Sequence, residues 1–306
     1  KGWLHAWLRT LTFAELRAAL IILAMSFVAL PLLPDRGYGP YDALNPRDLW
    51  LMTIAIAGVS FAGYVAVKLV GTRYGPLIAG IAGGIVSSTI TTVTLARRAH
   101  AAPSTIYRQL VGALAASATM FVRVGVIVAV FGPNLLSRVG GALAAAFAVS
   151  VVAAVLMDQP WKRKGVAGEG DDAHFGNPLD VGTVLLFGFL LAVVILVGRV
   201  LAEWFGEVGG VGFAAVAGIS DVDAITLSMT QVAGGAMSHG AAALAILVAV
   251  GVNSLSKSVL AIAAGGRAFG FSYLLVSVLA LAAGAVTFAA TVWWFGDAAA
   301  LSVPTP

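Results

Sequence analysis

The sequence contains no cysteine and few charged residues. Only 10% of its 306 residues are Asp, Glu, Lys or Arg, whereas soluble domains carry about 25%. The absence of cysteine excludes disulfides and thiolate metal sites. P-loop, nucleophile-elbow and HExxH patterns are also absent, so we expect no enzyme and no catalytic residues. The histidines lie near segment ends or in loops without metal-ligand spacing: His5, His100, His174 and His239.

Long hydrophobic runs fill the chain instead. Hydrophobic residues make up 60% of it, and runs of about 20 residues, the length that crosses a bilayer, recur throughout. We therefore predict an all-α polytopic membrane protein whose main partner is the lipid bilayer. The formal net charge is +4, but the basic residues lie at segment ends rather than in one patch, so no nucleic-acid partner is expected.

Nine hydrophobic segments can be distinguished, at 14–33, 48–70, 76–96, 107–131, 137–157, 180–203, 209–231, 239–264 and 271–295. Residues 1–157 form an N-terminal part that begins with an interfacial amphipathic stretch, 1–12. A polar flexible linker, 158–178, separates it from a C-terminal core, 179–265, and 271–295 is an additional helix. The chain begins with Lys rather than Met, which leaves open a fragment of a longer protein.

The two parts look like internal repeats of about four segments each. A shift of 134 positions lays segments 2–4 over segments 6–8 without a gap. Polar and glycine positions then coincide: Gly84 with Gly218, Ser87 with Asp221, Thr89 with Asp223, Thr119 with Asn253 and Arg123 with Lys257. The alternative is a chance alignment of two Ala-, Gly- and Val-rich runs. Duplication is common in transporters, whose binding sites lie between the repeats.

The charge distribution allows two topologies. If all nine segments cross, the repeats are parallel and the basic residues outside the segment centres divide eight against eight. If segments 3 and 7 are re-entrant, the repeats are inverted and the division is twelve against four, which agrees better with the cytoplasmic excess of Lys and Arg.

Segments 3 and 7 carry signals for a helix break. In segment 7, Gly218 precedes a capping pattern with Ser220 as the cap and Asp223 three residues later. Glycines followed by hydroxyl residues interrupt segment 3, namely Gly80, Gly83, Gly84, Ser87, Ser88 and Thr89. Alternatively, both segments are plain spans whose glycines allow close helix packing.

Four ionisable residues lie inside apolar segments: Arg123, Asp221, Asp223 and Lys257. A charge in hydrocarbon costs about 2.5 to more than 10 kcal/mol and usually marks a functional site. Asp221 and Asp223 are candidate metal ligands, because carboxylates bind Mg²⁺ and similar cations, or they pass protons. Under a purely structural interpretation, Asp223 caps a helix and Asp221 pairs with Lys257.

The remaining candidates complete an ion pathway. Lys257 and Asn253 share a helix face at i, i+4, and Lys257 and Arg123 balance the aspartates. Two Asp against one Lys and one Arg give no net charge, so the sign of the ion stays open. The oxygen-rich lining, Ser87, Ser88, Thr89 and Asn253, favours a cation.

Several stretches carry a family resemblance, including GGIVSST (83–89), GISDVDAITLS (218–228) and VNSLSKS (252–258). The chain resembles the bacterial membrane domain of unknown function often found C-terminal to MgtC/SapB-type domains. The resemblance implies a multi-pass protein of the bacterial inner membrane, an MgtC-like domain as an N-terminal partner, and an association with magnesium. It implies no catalytic residues and no cofactor.

We therefore expect a transporter or channel for a small inorganic ion, a divalent cation such as Mg²⁺, with the cation as substrate and a polar site at the midplane. One alternative is a proton-coupled exchanger of a small anion. Another is a non-transporting membrane regulator or scaffold. The glycine spacings are compatible with a homodimer in each case.

Overall fold

The chain folds as helices because a segment inside a bilayer must satisfy its backbone hydrogen bonds internally. The computed structural model describes residues 12–70, 76–157 and 181–295. Apart from Thr12, the interfacial stretch expected at 1–12 lies outside these ranges, and so does the linker 158–178. The helices are α1 (Phe13–Ala24, continued by a π-helical turn Met25–Ala29 and by Leu30–Leu32), α2 (Pro46–Val70), α3 (Pro76–Ala101), α4 (Ile106–Phe131), α5 (Pro133–Met157), α6 (Val181–Gly218), α7 (Val222–Val232) and α8 (His239–Phe295).

By length and composition alone, seven helices of the described chain could cross a membrane: Glu15–Leu32, Pro46–Val65, Leu77–Ala101, Pro103–Phe131, Pro133–Met157, Val184–Gly218 and His239–Trp293. The described ranges contain two isolated β-bridges but no β-strand. The chain is therefore a helical multi-pass membrane protein, as its composition predicts.

Two of the long helices, α6 and α8, fold back on themselves at a glycine. Gly206 (φ 61°) divides α6 and Gly266 (φ 73°) divides α8, and both need a positive φ that glycine adopts without strain. Gly209 then lies against Leu201, and Gly270 against Ile262. These partners are eight residues apart, which a straight helix would separate by about 12 Å.

Helix α3 also folds back, at Ser87, whose backbone is extended (φ −161°, ψ 107°). We call residues 76–101 hairpin 1. Its first half (76–86) runs parallel to α4, because Gly80 lies against Gly112 and Gly84 against Ala116. Its second half (88–101) joins α4 through the short connector 102–105 and runs antiparallel to it. Hairpin 1 therefore returns to the end of the bundle from which it starts.

A second hairpin, residues 207–232, is formed by the end of α6 and by α7. Gly210 lies against Met237 and Gly218 against Ala249, so residues 207–218 run parallel to the first half of α8, while α7 runs antiparallel to it. We call this unit hairpin 2. Sequence segment 7 thus corresponds to two half-helices rather than one continuous helix.

The hairpins enter the bundle from opposite ends. At the end where hairpin 1 opens, Gly265 packs against Ala96 in its second half. At the other end, where hairpin 2 opens, the Trp204 indole donates to the Tyr41 hydroxyl (3.0 Å), and Gly132, between α4 and α5, contacts Thr230 near the end of α7. The tips of the two hairpins consequently meet inside the bundle.

Candidate functional site

The tip of hairpin 2 is an N-capped helix start. Asp221 is extended (φ −147°, ψ 120°), and its carboxylate accepts a hydrogen bond from the Asp223 backbone N–H (2.8 Å). The expected cap at Ser220 is wrong by one position. The Ser220 N–H still bonds to the Ala217 carbonyl (3.1 Å), so this residue belongs to the turn that ends the preceding half-helix.

The tip of hairpin 1 has a similar construction. Ser87 breaks the helix, and its hydroxyl accepts a hydrogen bond from the Ile90 N–H (3.3 Å). Capping of this kind satisfies one of the backbone donors that a helix start leaves unpaired. Each hairpin thus turns at a residue whose side chain caps the second half-helix.

Arg123 of α4 connects the two tips. Its guanidinium forms an ion pair with the Asp223 carboxylate and donates to the Ile85 carbonyl (2.7 Å) in hairpin 1. Asp223 is 6% exposed, and its Oδ1 is buried without a hydrogen-bond partner in the described chain. A buried charged oxygen left unpaired is costly, so this atom is an acceptor available to a proton or a cation.

Lys257 lies just behind this pair and is fully buried. Its ammonium nitrogen donates to the Ser88 hydroxyl (3.2 Å) and contacts the Met120 sulfur (2.9 Å). The structure describes no ion pair of Lys257 with a carboxylate. The purely structural alternative, in which Asp223 caps a helix and Asp221 pairs with Lys257, is therefore not what the structure has: Asp221 caps α7, and Asp223 pairs with Arg123.

Asn253 faces the other hairpin although it shares a helix with Lys257. Its amide donates to the Gly218 carbonyl (2.9 Å), the last residue of the first half-helix of hairpin 2. Carbonyls at a helix end lack intrahelical partners. Asn253 therefore stabilises the tip of hairpin 2. Arg123 stabilises the tip of hairpin 1 in a similar way, through its hydrogen bond to the Ile85 carbonyl.

A cavity of about 310 Å³ lies between the tips. Its lining includes seven of the eight predicted site residues; Lys257 is separated from it by Ser88 and Met120. The lining residues are Thr53, Ile56, Ala57, Ser60, Tyr64, Val86, Ser87, Ser88, Thr89, Met120, Arg123, Val184, Phe187, Ser220, Asp221, Val222, Asp223 and Asn253.

The sequence analysis missed the wall that α2 contributes. Thr53, Ser60 and Tyr64 line the cavity, and their spacing of seven and four places them on one helix face. This spacing was the signal that could have identified them. Glu15 of α1, only 1% exposed, was also missed; it accepts a hydrogen bond from the Tyr64 hydroxyl (2.9 Å) and links α1 to the cavity wall.

The cavity is lined by oxygen atoms that suit hard cations, and its two aspartates are balanced by Arg123 and by the nearby Lys257. Within the described ranges there is no group of three or more His, Cys, Asp or Glu residues that could hold a metal ion. Asp221 and Asp223 would therefore need hydroxyl, carbonyl or water oxygens to complete the coordination of a cation.

Comparison with known proteins places the chain in a family. A protein of Aquifex aeolicus (strain VF5), named only as uncharacterized, is 31% identical over 109 residues, which cover 35% of this chain and 47% of that protein. The chain thus spans about half the length of this relative. No solved structure is significantly similar. The profile of the family DUF4010, a domain of unknown function, matches residues 54–265, well over half of the sequence. The chain belongs to the DUF4010 family.

Proposed function

We propose that the protein transports a small inorganic cation across the bacterial inner membrane through the cavity between the hairpin tips. The observation that carries this proposal is the unpaired Oδ1 of Asp223, a buried carboxylate oxygen beside a cavity in a membrane protein. Asp221 lines the same cavity and is the second candidate cation ligand. Intramembrane carboxylates that face a cavity typically mark ion pathways.

The arrangement of the hairpins supports an inverted-repeat carrier. Gly84 and Gly218, which the shift of 134 positions aligns, both pack against an alanine backbone of the following long helix, at Ala116 and Ala249. The aligned residues Ser87 and Asp221 both cap a half-helix. In carriers of this type, one repeat moves against the other around a fixed site, which gives alternating access.

The charges support a divalent cation such as Mg²⁺ as the first substrate to test. When Arg123 releases Asp223, Asp221 and Asp223 together present two negative charges, which a divalent ion neutralises. Mg²⁺ commonly binds one or two carboxylates and keeps several waters, and a cavity of about 310 Å³ has room for such waters.

The test is Mg²⁺ uptake by proteoliposomes that contain an entrapped Mg²⁺-sensitive dye. Wild type should take up Mg²⁺ faster than protein-free vesicles, whereas Asp223→Asn and Asp221→Asn should each abolish most of the flux. Asp35→Asn is the matched control, because Asp35 is an exposed loop carboxylate paired with Arg47 (3.0 Å). Unchanged uptake in both site variants would show that Asp221 and Asp223 do not form the cation site.

A second candidate is the exchange of a small anion. Arg123 and two helix N-termini, at Ser88 and Val222, adjoin the cavity, and this combination favours negative charge. Under this alternative, Arg123→Gln abolishes binding of the anion, whereas a cation carrier retains cation binding in that variant. A non-transporting regulator, the association with an MgtC-like domain and a homodimer stay predictions.

A further inference from the structure

Lys257 has a different environment from the other charged residues of the site. Its side chain is completely buried, yet among the residues that the structure describes its nitrogen bonds to a hydroxyl, that of Ser88, and a thioether, that of Met120, rather than to a carboxylate. A buried ammonium normally needs a paired anion, and without one it tends to lose its proton. The amine is thus placed to exist in either protonation state.

The surroundings of Lys257 contain one negative and one positive group. Asp223 on α7 and Arg123 on α4 are the charged groups that act on it, and they are paired with each other. Hairpin 1 contributes Ser88. The charged side chains of α5 and α6, which are Arg138, Arg199, Glu203 and Glu207, do not line the cavity beside Ser88. A proton on Lys257 therefore makes the surroundings of the cavity more positive by one charge.

We infer that Lys257 is a proton site, and that the proton leaves when a cation binds at Asp221 and Asp223 and returns when the cation leaves. This inference rests on the proposed function. A bound cation and the Lys257 ammonium are two positive charges next to the same buried carboxylate, and they exclude each other because the surrounding dielectric is low. The carrier is consequently a proton–cation antiporter rather than a channel.

The route of the proton is short. Ser88 both accepts the hydrogen bond from Lys257 and lines the cavity. On cation binding, the ammonium gives one proton to the Ser88 hydroxyl, which passes its own proton to cavity water. Lys257 becomes a neutral amine. The reverse transfer restores the ammonium, so charge and protons balance over the cycle. The residues that bind the cation undergo no covalent change.

The first experiment follows Lys257 directly by NMR of protein labelled with ¹⁵N at the lysine side chains. Lys257→Met identifies the Lys257 signal, because four other lysines are present (Lys1, Lys68, Lys162 and Lys164). We expect this signal to change from ammonium to amine between mildly acidic and mildly alkaline pH without any added cation. A Lys257 that stays an ammonium throughout would overturn the inference, whatever the protein transports.

The second experiment measures protons released when Mg²⁺ is added to the detergent-solubilised protein in weak buffer. By linkage, wild type should release up to about one proton per bound Mg²⁺. Lys257→Met should release almost none, and Lys257→Arg, which keeps its charge, should bind Mg²⁺ at least tenfold more weakly. Asp35→Asn, which alters an exposed loop carboxylate outside the cavity lining, should release protons as wild type does.

The two proposals can fail separately. If Lys257 titrates but neither Mg²⁺, Mn²⁺ nor Na⁺ binds, the proton site stands and the cation function is wrong. If Mg²⁺ binds and Lys257→Met releases as many protons as wild type, the transport proposal stands and the role of Lys257 is wrong.

Discussion

Arg123 pairs with Asp223 across the centre of the bundle. This contact connects hairpin 2 to α4, the helix against which hairpin 1 packs. The same guanidinium donates to the Ile85 carbonyl. One side chain thus touches both tips. In a carrier that alternates between two states, the Arg123–Asp223 pair is a contact that a cation has to compete with.

Breaking this pair should destabilise the protein strongly. Arg123→Gln leaves the Asp223 carboxylate buried without its partner, and removal of one member of a buried pair costs about 3–5 kcal/mol. We expect a clearly lower midpoint in thermal unfolding in detergent. Arg108→Gln is the control, since Arg108 is exposed on the same helix and its replacement should change stability little.

The double variant tests the pairing itself. Asp223→Asn added to Arg123→Gln removes both charges, so the double variant should be more stable than the sum of the two single losses predicts. Strictly additive losses would show that Arg123 and Asp223 do not interact in the folded protein.

The close approach of hairpin 2 to α8 requires glycine at position 218. A Cβ on Gly218 would lie 2.7 Å from the Ala249 Cα, and overpacking of this kind typically costs about 1–3 kcal/mol. Gly218→Ala should therefore lower the unfolding midpoint and reduce uptake. Gly212→Ala in the same half-helix meets nothing within 4 Å and should be neutral or stabilising. Equal effects of the two replacements would contradict the packing described.

Asp221 combines a structural and a proposed transport role, which two substitutions separate. Asp221→Asn keeps a good helix cap and removes the charge, so stability should stay near wild type while Mg²⁺ uptake falls. Asp221→Ala also removes the cap, and loss of a cap costs about 0.5–2 kcal/mol. Thermal unfolding and uptake are measured on both variants. If Asp221→Asn transports normally, the Asp221 carboxylate is not a ligand of the cation.

The opposite entry of the two hairpins can be tested by labelling, because the chain lacks cysteine. Single cysteines are placed at Ser104, between hairpin 1 and α4, and at Ser238, between hairpin 2 and α8; both positions are exposed. A membrane-impermeant thiol reagent should label them from opposite sides of the membrane. A third cysteine at Asp35, in the exposed loop before α2, should behave like Ser238. Labelling of Ser104 and Ser238 from the same side would exclude the inverted arrangement.

The sequence alone determined the local features of this protein. Hydropathy over about 20 residues identifies membrane helices because burial in lipid is decided segment by segment. Glycines followed by hydroxyl or capping residues indicate breaks in segments 3 and 7, since caps act within a few positions, but the sequence left two plain spans open as the alternative. The ionisable residues stood out for the same reason, as charges inside apolar runs.

Only the tertiary structure decided which of these groups meet. Arg123 and Asp223 are 100 positions apart, and their pairing depends on how hairpin 2 packs against α4. The oxygen-lined face of α2 and the link from Tyr64 to Glu15, 49 positions away, likewise arise from the packing of separate helices. Hydropathy places a segment in the membrane, but it does not fix the rotation of a helix or its neighbours, because these are set by contacts between side chains far apart in the chain.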